Sequence, residues 1–231
     1  MKRHLYLLLI STSVCFFSGK VSGGTVNLFD YLDLQTGTVA GTWSFQNGML
    51  KSDNTGYARV AFHYTPPPGE YDYSVDFSFL SGATGNMAQL VSYDGTPFEY
   101  SLNAGTGHYC RLEDINGHFV IDNPTLTKDT FVSGHRYTST VRVRADRVIC
   151  EIDGHVLIDY PTDYSDLSRN PAWYLPNNMN IGLGSWNGPN TFYSATLSTV
   201  PASTVPTPAT WAASLCLLPA AAWASRRMRR N

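Results

Sequence analysis

The chain is poor in the residues that most often announce chemistry. Its 231 residues include four cysteines, and two of these, Cys15 and Cys216, lie in apolar terminal segments. Cys110 and Cys150 remain, with no cluster of histidines beside them, which argues against a structural zinc site. Positive charge is also in deficit. Between residues 24 and 200 nine Lys and Arg face 18 Asp and Glu, because Lys2, Arg3, Lys20 and the four terminal arginines lie outside that stretch; its net charge is therefore −9. So acidic a domain is a poor partner for phosphate backbones or anionic lipid, and nucleic acid is not an expected ligand. No Gly-x-Ser-x-Gly elbow, Walker loop or dinucleotide fingerprint occurs. His63, His108, His118, His135 and His155 form no short metal-binding pair. No internal repeat is present, and no apolar run reaches the roughly 20 residues of a lasting transmembrane helix.

What the chain does have begins with two unusual ends. Lys2, Arg3 and His4 precede an apolar run from Leu5 to Phe17, and Val21-Ser22-Gly23 offers a small-residue cleavage site. This is the three-part layout of a secretory signal peptide over residues 1–23. A lipidated Cys15 fits less well, since Val14 stands where a small residue is expected. At the other end, residues 201–210 (PASTVPTPAT) form an uncharged Pro/Ser/Thr spacer. An apolar segment from Trp211 to Ala224 follows, then Arg226, Arg227, Arg229 and Arg230. Arginines directly after an apolar segment mark a cytoplasmic flank. Val205, Pro206 and Pro208, the apolar run and the arginines resemble a PEP-CTERM tail, with Thr207 where that motif usually has Glu. The resemblance implies sorting by an exosortase after passage through the export machinery. A plain membrane anchor over residues 211–231 is the alternative. Either way the protein is expected outside a bacterial cytoplasm, in the cell envelope or on its surface.

Residues 24–200 alternate between apolar and polar. In Glu70–Phe79 the residues Tyr71, Tyr73, Val75, Phe77 and Phe79 take one face, while Glu70, Asp72, Ser74, Asp76 and Ser78 take the other. Period two with aromatic and β-branched residues predicts a half-buried strand, with those five apolar side chains inward. Asn47-Gly48, Asp94-Gly95, Asn116-Gly117 and Asp153-Gly154 punctuate such segments. Asn-Gly and Asp-Gly suit tight hairpins, because both central residues need positive φ. About ten to twelve strands and no long helix are expected; DYSDLS and NLFDYLDL are the segments suited to single helical turns. The pattern predicts an all-β, two-sheet antiparallel jelly-roll sandwich. Cys110 and Cys150 both fall in predicted strands, and a disulfide between them requires those strands to be neighbours.

The order of GTWSFQNGMLKS, PPPGEYDYSVDFSFLSG, DRVICEIDGHVLIDY and NIGLGSWNGPNTFYSATLSTV resembles a concanavalin A-like jelly-roll module. It is similar to the laminin-G-like and 3-keto-disaccharide hydrolase families of exported bacterial proteins. The resemblance implies a carbohydrate-related role, shared among lectins, glycan-binding appendages and carbohydrate-active enzymes.

Chemistry itself is thin. Glu151 and Asp153 sit two apart, as in the E-x-D-x-x-E strand of jelly-roll glucanases, but Val156 occupies the third position and Asp153-Gly154 reads as a turn. Glu113 and Asp114 are adjacent and so face opposite sides of a strand. Asp122 and Asn123 offer oxygen ligands for Ca²⁺ from a loop, without EF-hand spacing; a self-capping turn is the simpler reading, and no other cofactor is implied. Aromatics remain. Trp186 and Asn187 lie between strands, and Trp173 lies in the polar stretch SRNPAWYLPNN. An aromatic face stacks on sugar C–H groups while an amide takes hydroxyls; the alternative is that the rings plug the open ends of the sandwich. The expected function is a surface-displayed, non-catalytic jelly-roll module for glycan. The alternatives are a glycoside-active hydrolase of the 3-keto-disaccharide hydrolase type and a structural envelope or matrix protein.

Overall fold

The computed structural model describes residues 23–53, 56–80, 85–104, 108–118, 124–177 and 180–200. The expected signal peptide, spacer and C-terminal segment lie outside these residues, as do Asp122 and Asn123.

Two antiparallel sheets pack face to face as a jelly-roll sandwich, with strands numbered in chain order. The first sheet runs β14 (His155–Pro161), β13 (Arg147–Ile152), β12 (Tyr137–Arg144), β6 (Tyr71–Phe79), β17 (Asn190–Thr199), β4 (Met49–Ser52) and β3 (Trp43–Gln46), with β1 (Thr25–Asn27) also on β17. The second runs β11 (Thr127–Lys128), β9 (Tyr109–Leu112), β8 (Thr96–Ala104), β7 (Asn86–Tyr93), β16 (Gly182–Trp186), β5 (Tyr57–Ala61) and β2 (Thr38–Ala40). A short pair, β10 (Asp114–Ile115) with β15 (Leu167–Ser168), stands apart. Several strands are only two to four residues long, too brief to carry an alternation of their own, which is why the described residues hold more strands than the pattern predicts. NLFDYLDL contains a 3₁₀ turn, Leu28–Tyr31, and leads into the α-turn Leu34–Gly37. DYSDLS makes no helix.

The four turn dipeptides all close hairpins or tight turns. Asn47, Asp94, Asn116 and Asp153 have φ between 47° and 53°, and the glycine after each is also positive. Asp153 is thus a turn residue. Its neighbour Glu151 is bound by Arg142 at 2.8 and 3.0 Å, so the two acids form no catalytic pair.

The inward face of β6 is as its alternation predicts: Tyr71, Tyr73, Val75, Phe77 and Phe79 are all buried. The tyrosines also tie the sheets together. Tyr73 donates its hydroxyl to the Gly182 carbonyl at 2.8 Å, and Tyr71 donates to the Ser92 carbonyl. Gln89 crosses in return, its amide donating to the Tyr73 carbonyl at 2.9 Å. These pairings satisfy polar groups that would otherwise be costly in the core. The outer face of the first sheet is an ionic lattice. Asp72 meets Arg142 and Arg144, and Asp76 meets Arg136 and Thr138.

The two cysteines correct one expectation. Cys110 lies on β9 in the second sheet and Cys150 on β13 in the first, so their strands are not neighbours. Both thiols are free and fully buried, facing the core from opposite sheets. Burial pushes the Cys110 thiol up to about 12 and Cys150 well above its ordinary value, which keeps both as unreactive thiols.

The first and last strands meet. Thr25 of β1 pairs with Ser198 of β17, and the backbone N–H of Thr199 donates to the Gly24 carbonyl at 3.1 Å. The chain therefore enters and leaves the sandwich side by side.

Candidate functional site

The outer face of the second sheet differs from that of the first. Gln89 points inward to Tyr73, so its neighbours Ala88 and Leu90 on β7 point outward. Together with Ala61, Trp173 and Leu175 they form a small apolar cluster separate from the main core, against which Val39 and Trp186 pack. Gly184 makes room for the indole and Gly182 for the backbone of β5 beside it. A Cβ on Gly184 would stand 2.4 and 2.7 Å from ring carbons of Trp173, and one on Gly182 would meet the Val60 carbonyl at 2.3 Å. The Gly-Leu-Gly start of β16 thus gives a bare floor on which the indole of Trp173 lies.

A 3₁₀ turn, Pro171–Trp173, delivers that indole. Asn170 caps it, its side chain accepting from the Ala172 N–H at 2.9 Å. The Asn170 N–H in turn donates to both carboxyl oxygens of Glu99, at 2.9 and 3.2 Å. Tyr57 then stands edge-on against Trp173, with ring centroids 5.0 Å apart, and stacks on Trp186 at 5.6 Å and 22°. Trp173 is 1% exposed and Tyr57 is 40% exposed, so the open surface of this cluster is Tyr57 with the half-buried Trp186.

The end of β16 is held from beneath by a polar network. Ser52 donates to the Ser185 hydroxyl at 2.8 Å, and Ser185 donates to the Gly188 carbonyl at 3.0 Å. The Asn190 amide donates to Ser185 at 2.9 Å and to the Asn86 carbonyl at 2.8 Å. All four side chains are buried or nearly so. They fix the bend in which Asn187 sits exposed with φ 57°.

Beyond the aromatic residues the same face carries charge. Arg111 on β9 donates to Glu113 at 2.7 Å, both side chains being almost fully covered. Burial raises the Tyr57 hydroxyl above its ordinary value; the Glu113 charge pushes the same way and the Arg111 charge opposes. The hydroxyl therefore lies within electrostatic reach of that pair. Glu99 on β8 is fully buried, and burial, with Glu113 and Asp114 adding to it, lifts its carboxyl well above the carboxylate range. The turn at Pro171–Trp173 also helps wall a cavity of about 490 Å³ lined by Arg59, Pro97, Ser168, Arg169, Pro171 and Tyr174.

Of the residues that the sequence singles out, the structure thus brings Trp173 and Trp186 together, but through Tyr57, which sequence reasoning does not find. Trp186 ends a strand rather than standing in a loop, and Trp173 is a support rather than a contact surface. Asn187 is exposed beside Trp186.

No family model and no curated protein matches the sequence. Solved structures do resemble the fold. A carbohydrate-binding module, CBM66 from Bacillus subtilis, superposes with a TM-score of 0.52 at 16% identity, over 70% of this chain and 94% of that one. A putative glycosyl hydrolase from Parabacteroides distasonis gives 0.50 at 14% identity, over 77% and 94%. The apo Crh5 transglycosylase gives 0.51 at 14% identity, over 80% and 86%. At these identities the likeness defines a jelly-roll sandwich and leaves the function to the site.

Proposed function

We propose that residues 24–200 form a non-catalytic carbohydrate-binding module, exported and held at the bacterial cell surface through the C-terminal segment. The observation that carries this reading is the Tyr57–Trp186 stack. It is an open aromatic surface on a rigid sheet, with a buried indole beneath it and an exposed amide, Asn187, at its edge. Aromatic faces pack on the C–H faces of sugar rings, and side-chain amides serve their hydroxyls. Support comes also from the neighbours, among which are a named carbohydrate-binding module and proteins named for glycan chemistry. The export machinery, an exosortase acting on the Val205–Pro208 region and the membrane are the further partners of this reading.

The test is a glycan array with the full chain and its Tyr57→Ala and Trp186→Ala variants. Binding to one class of neutral or acidic glycan, weakened about tenfold or more by either change, is the expected result. Equal binding by all three proteins would remove the stack from the site.

A second reading, glycoside hydrolysis, has one observation in its favour. Glu99, its carboxyl raised by burial, shares a face with the Arg111–Glu113 ion pair, which resembles the division of labour between two glycosidase carboxyls. Against it, Glu99 is fully buried and Glu113 is 3% exposed, so no substrate bond reaches them as they stand. Release of reducing sugar from a bound glycan, abolished in Glu99→Gln, would replace the first reading with this one.

A further inference from the structure

Seven arginines occur among the described residues. Five are ion-paired: Arg111 with Glu113, Arg136 with Asp76, Arg142 with Asp72 and Glu151, Arg144 with Asp72 and Glu70, and Arg147 with Asp146 and Asp159. In a stretch with two acids for every base this is what electrostatics favours. The other two, Arg59 and Arg169, have no carboxylate within ion-pair distance among the described residues, and both line the same cavity of about 490 Å³.

Their placement is fixed by one backbone bond each. Arg59 donates through Nη1 to the Ala172 carbonyl at 2.9 Å, and Arg169 through Nη2 to the Val91 carbonyl at 2.7 Å. The remaining donors are not used: Nε of Arg59, and Nε and Nη1 of Arg169, are buried without an acceptor among the described residues. Leaving a buried charged donor unpaired is unfavourable unless something supplies the acceptor. Both side chains line the cavity, so an anion within it is the acceptor that their position offers. Burial lowers both guanidiniums, Arg169 to about 10. Glu99 is the acid nearest in influence to Arg169. Burial lifts its carboxyl above the carboxylate range, and it accepts from the Asn170 N–H at 2.9 and 3.2 Å, with no ion-pair contact to Arg169.

The other walls are not ionic. Pro97 and Pro171 are apolar, Ser168 carries a hydroxyl, and Tyr174 is 52% exposed. The volume falls in the range of about 300–1,000 Å³ typical of small-ligand sites. A flat ring and two prolines beside two guanidiniums match an acidic sugar unit: its ring lies on the tyrosine and prolines, and its anionic substituent meets the arginines, which favour planar, two-oxygen acceptors.

The geometry points to a second subsite here, one that takes the anionic group of an acidic glycan, carboxylate or sulfate, next to the aromatic surface formed by Tyr57 and Trp186. The sugar part of this assignment rests on the carbohydrate-binding reading; the anion preference rests on the arginines alone.

The experiment titrates the full chain in mild detergent with three oligosaccharides of equal length: a galacturonate oligomer, a sulfated galactan oligomer and a neutral galactan oligomer. Affinity is read by calorimetry, and the arginine Nε–H resonances by NMR. An acidic oligomer binding at least about tenfold tighter than the neutral one, with that margin shrinking as salt rises, is expected. Arg59→Gln and Arg169→Gln should each remove most of the margin while leaving the melting temperature within about 2 °C of the wild type. Whichever acidic oligomer wins identifies the anion. Should Arg169→Gln unfold, the half-buried Arg59→Gln and the salt dependence decide. Equal affinity for acidic and neutral oligomers, an undiminished margin in the variants, or unshifted Arg59 and Arg169 resonances up to about 10 mM ligand would each overturn the subsite. Loss of neutral binding in Tyr57→Ala with the arginine effect absent would sink this inference alone. An arginine-dependent acidic margin with Tyr57→Ala without effect would sink the aromatic surface alone.

Discussion

Phe77 is fully buried near the C-terminal end of β6, with Phe79 at 5.1 Å, Tyr137 at 5.9 Å and Phe131 at 6.4 Å between ring centroids. Deleting its ring removes apolar burial and leaves a void among other rings that cannot all collapse into it. Phe77→Ala should cost about 3–5 kcal/mol in urea unfolding; a loss below about 1 kcal/mol would contradict this packing. Glu99 makes a different demand. Its carboxyl is raised in the folded chain above the roughly 4.3 of an unfolded glutamate, so the native state holds the proton more tightly. The stability this contributes is complete below about pH 4.3 and is lost as pH rises through the raised native value. Glu99→Gln keeps the amide-to-carbonyl hydrogen bonding shape without a titrating proton. Relative to the wild type it should gain stability with rising pH above about 4.3, by up to about 1.4 kcal/mol per pH unit. Parallel pH profiles for the two proteins would show that Glu99 titrates alike folded and unfolded.

At the scale of elements, β16 shows how far the sequence could be read. The hairpins were legible because Asn-Gly and Asp-Gly state their backbone geometry locally, and β6 was legible because nine residues of alternation leave one choice of face. Gly182-Leu183-Gly184 states neither: the stretch reads as a strand, but its glycines give no pattern to fix its end, so Trp186 reads as a loop residue where the structure makes it the last residue of β16. Tyr57, on β5, has an ordinary alternating neighbourhood, and only the pairing of β5 with β16 sets it beside Trp186. The separation of Cys110 and Cys150 has the same origin, since strand identity says nothing of which sheet a strand joins. Gly184 therefore makes a sharp test of the element. In Gly184→Ala the added methyl meets Trp173 and, at 3.1 Å, Ala88. Trp173 must lift from the sheet, at a cost of about 1–3 kcal/mol. Its fluorescence should move to longer wavelength, and Tyr57 should lose its support. An unshifted spectrum with full stability would mean that the indole does not lie on that floor.

For the whole molecule, the proposed division between a folded module and a sorting segment makes a prediction about mass. If an exosortase reads Val205, Pro206 and Pro208, the mature protein ends near Pro208 and lacks Arg226–Arg230; replacing those arginines by serine should leave unprocessed chain in the medium. Intact-mass measurement of protein from the cell surface checks this, and a form still ending at Asn231 would leave only the plain membrane anchor. The module's shape suits either outcome. The chain leaves β17 at Thr199, beside its own entry at Gly24, whereas Trp186 and Asn187 lie close to the opposite end of β17 at Asn190. At about 3.3 Å per residue the ten residues of β17 set the aromatic surface roughly 30 Å from the point of attachment.

That arrangement also decides how the molecule bears load. If a glycan is gripped near Trp186 and the chain is held beyond Thr199, as proposed, the two pull on opposite ends of one central strand, three residues separating Trp186 from its start. β17 is flanked by β6 along nine paired positions and by β4 and β1 on its other side. A force along its length shears those bonds together instead of peeling them one by one. On the proposed reading, the strand between ligand and anchor is thus loaded along the direction in which its ladder resists as a whole.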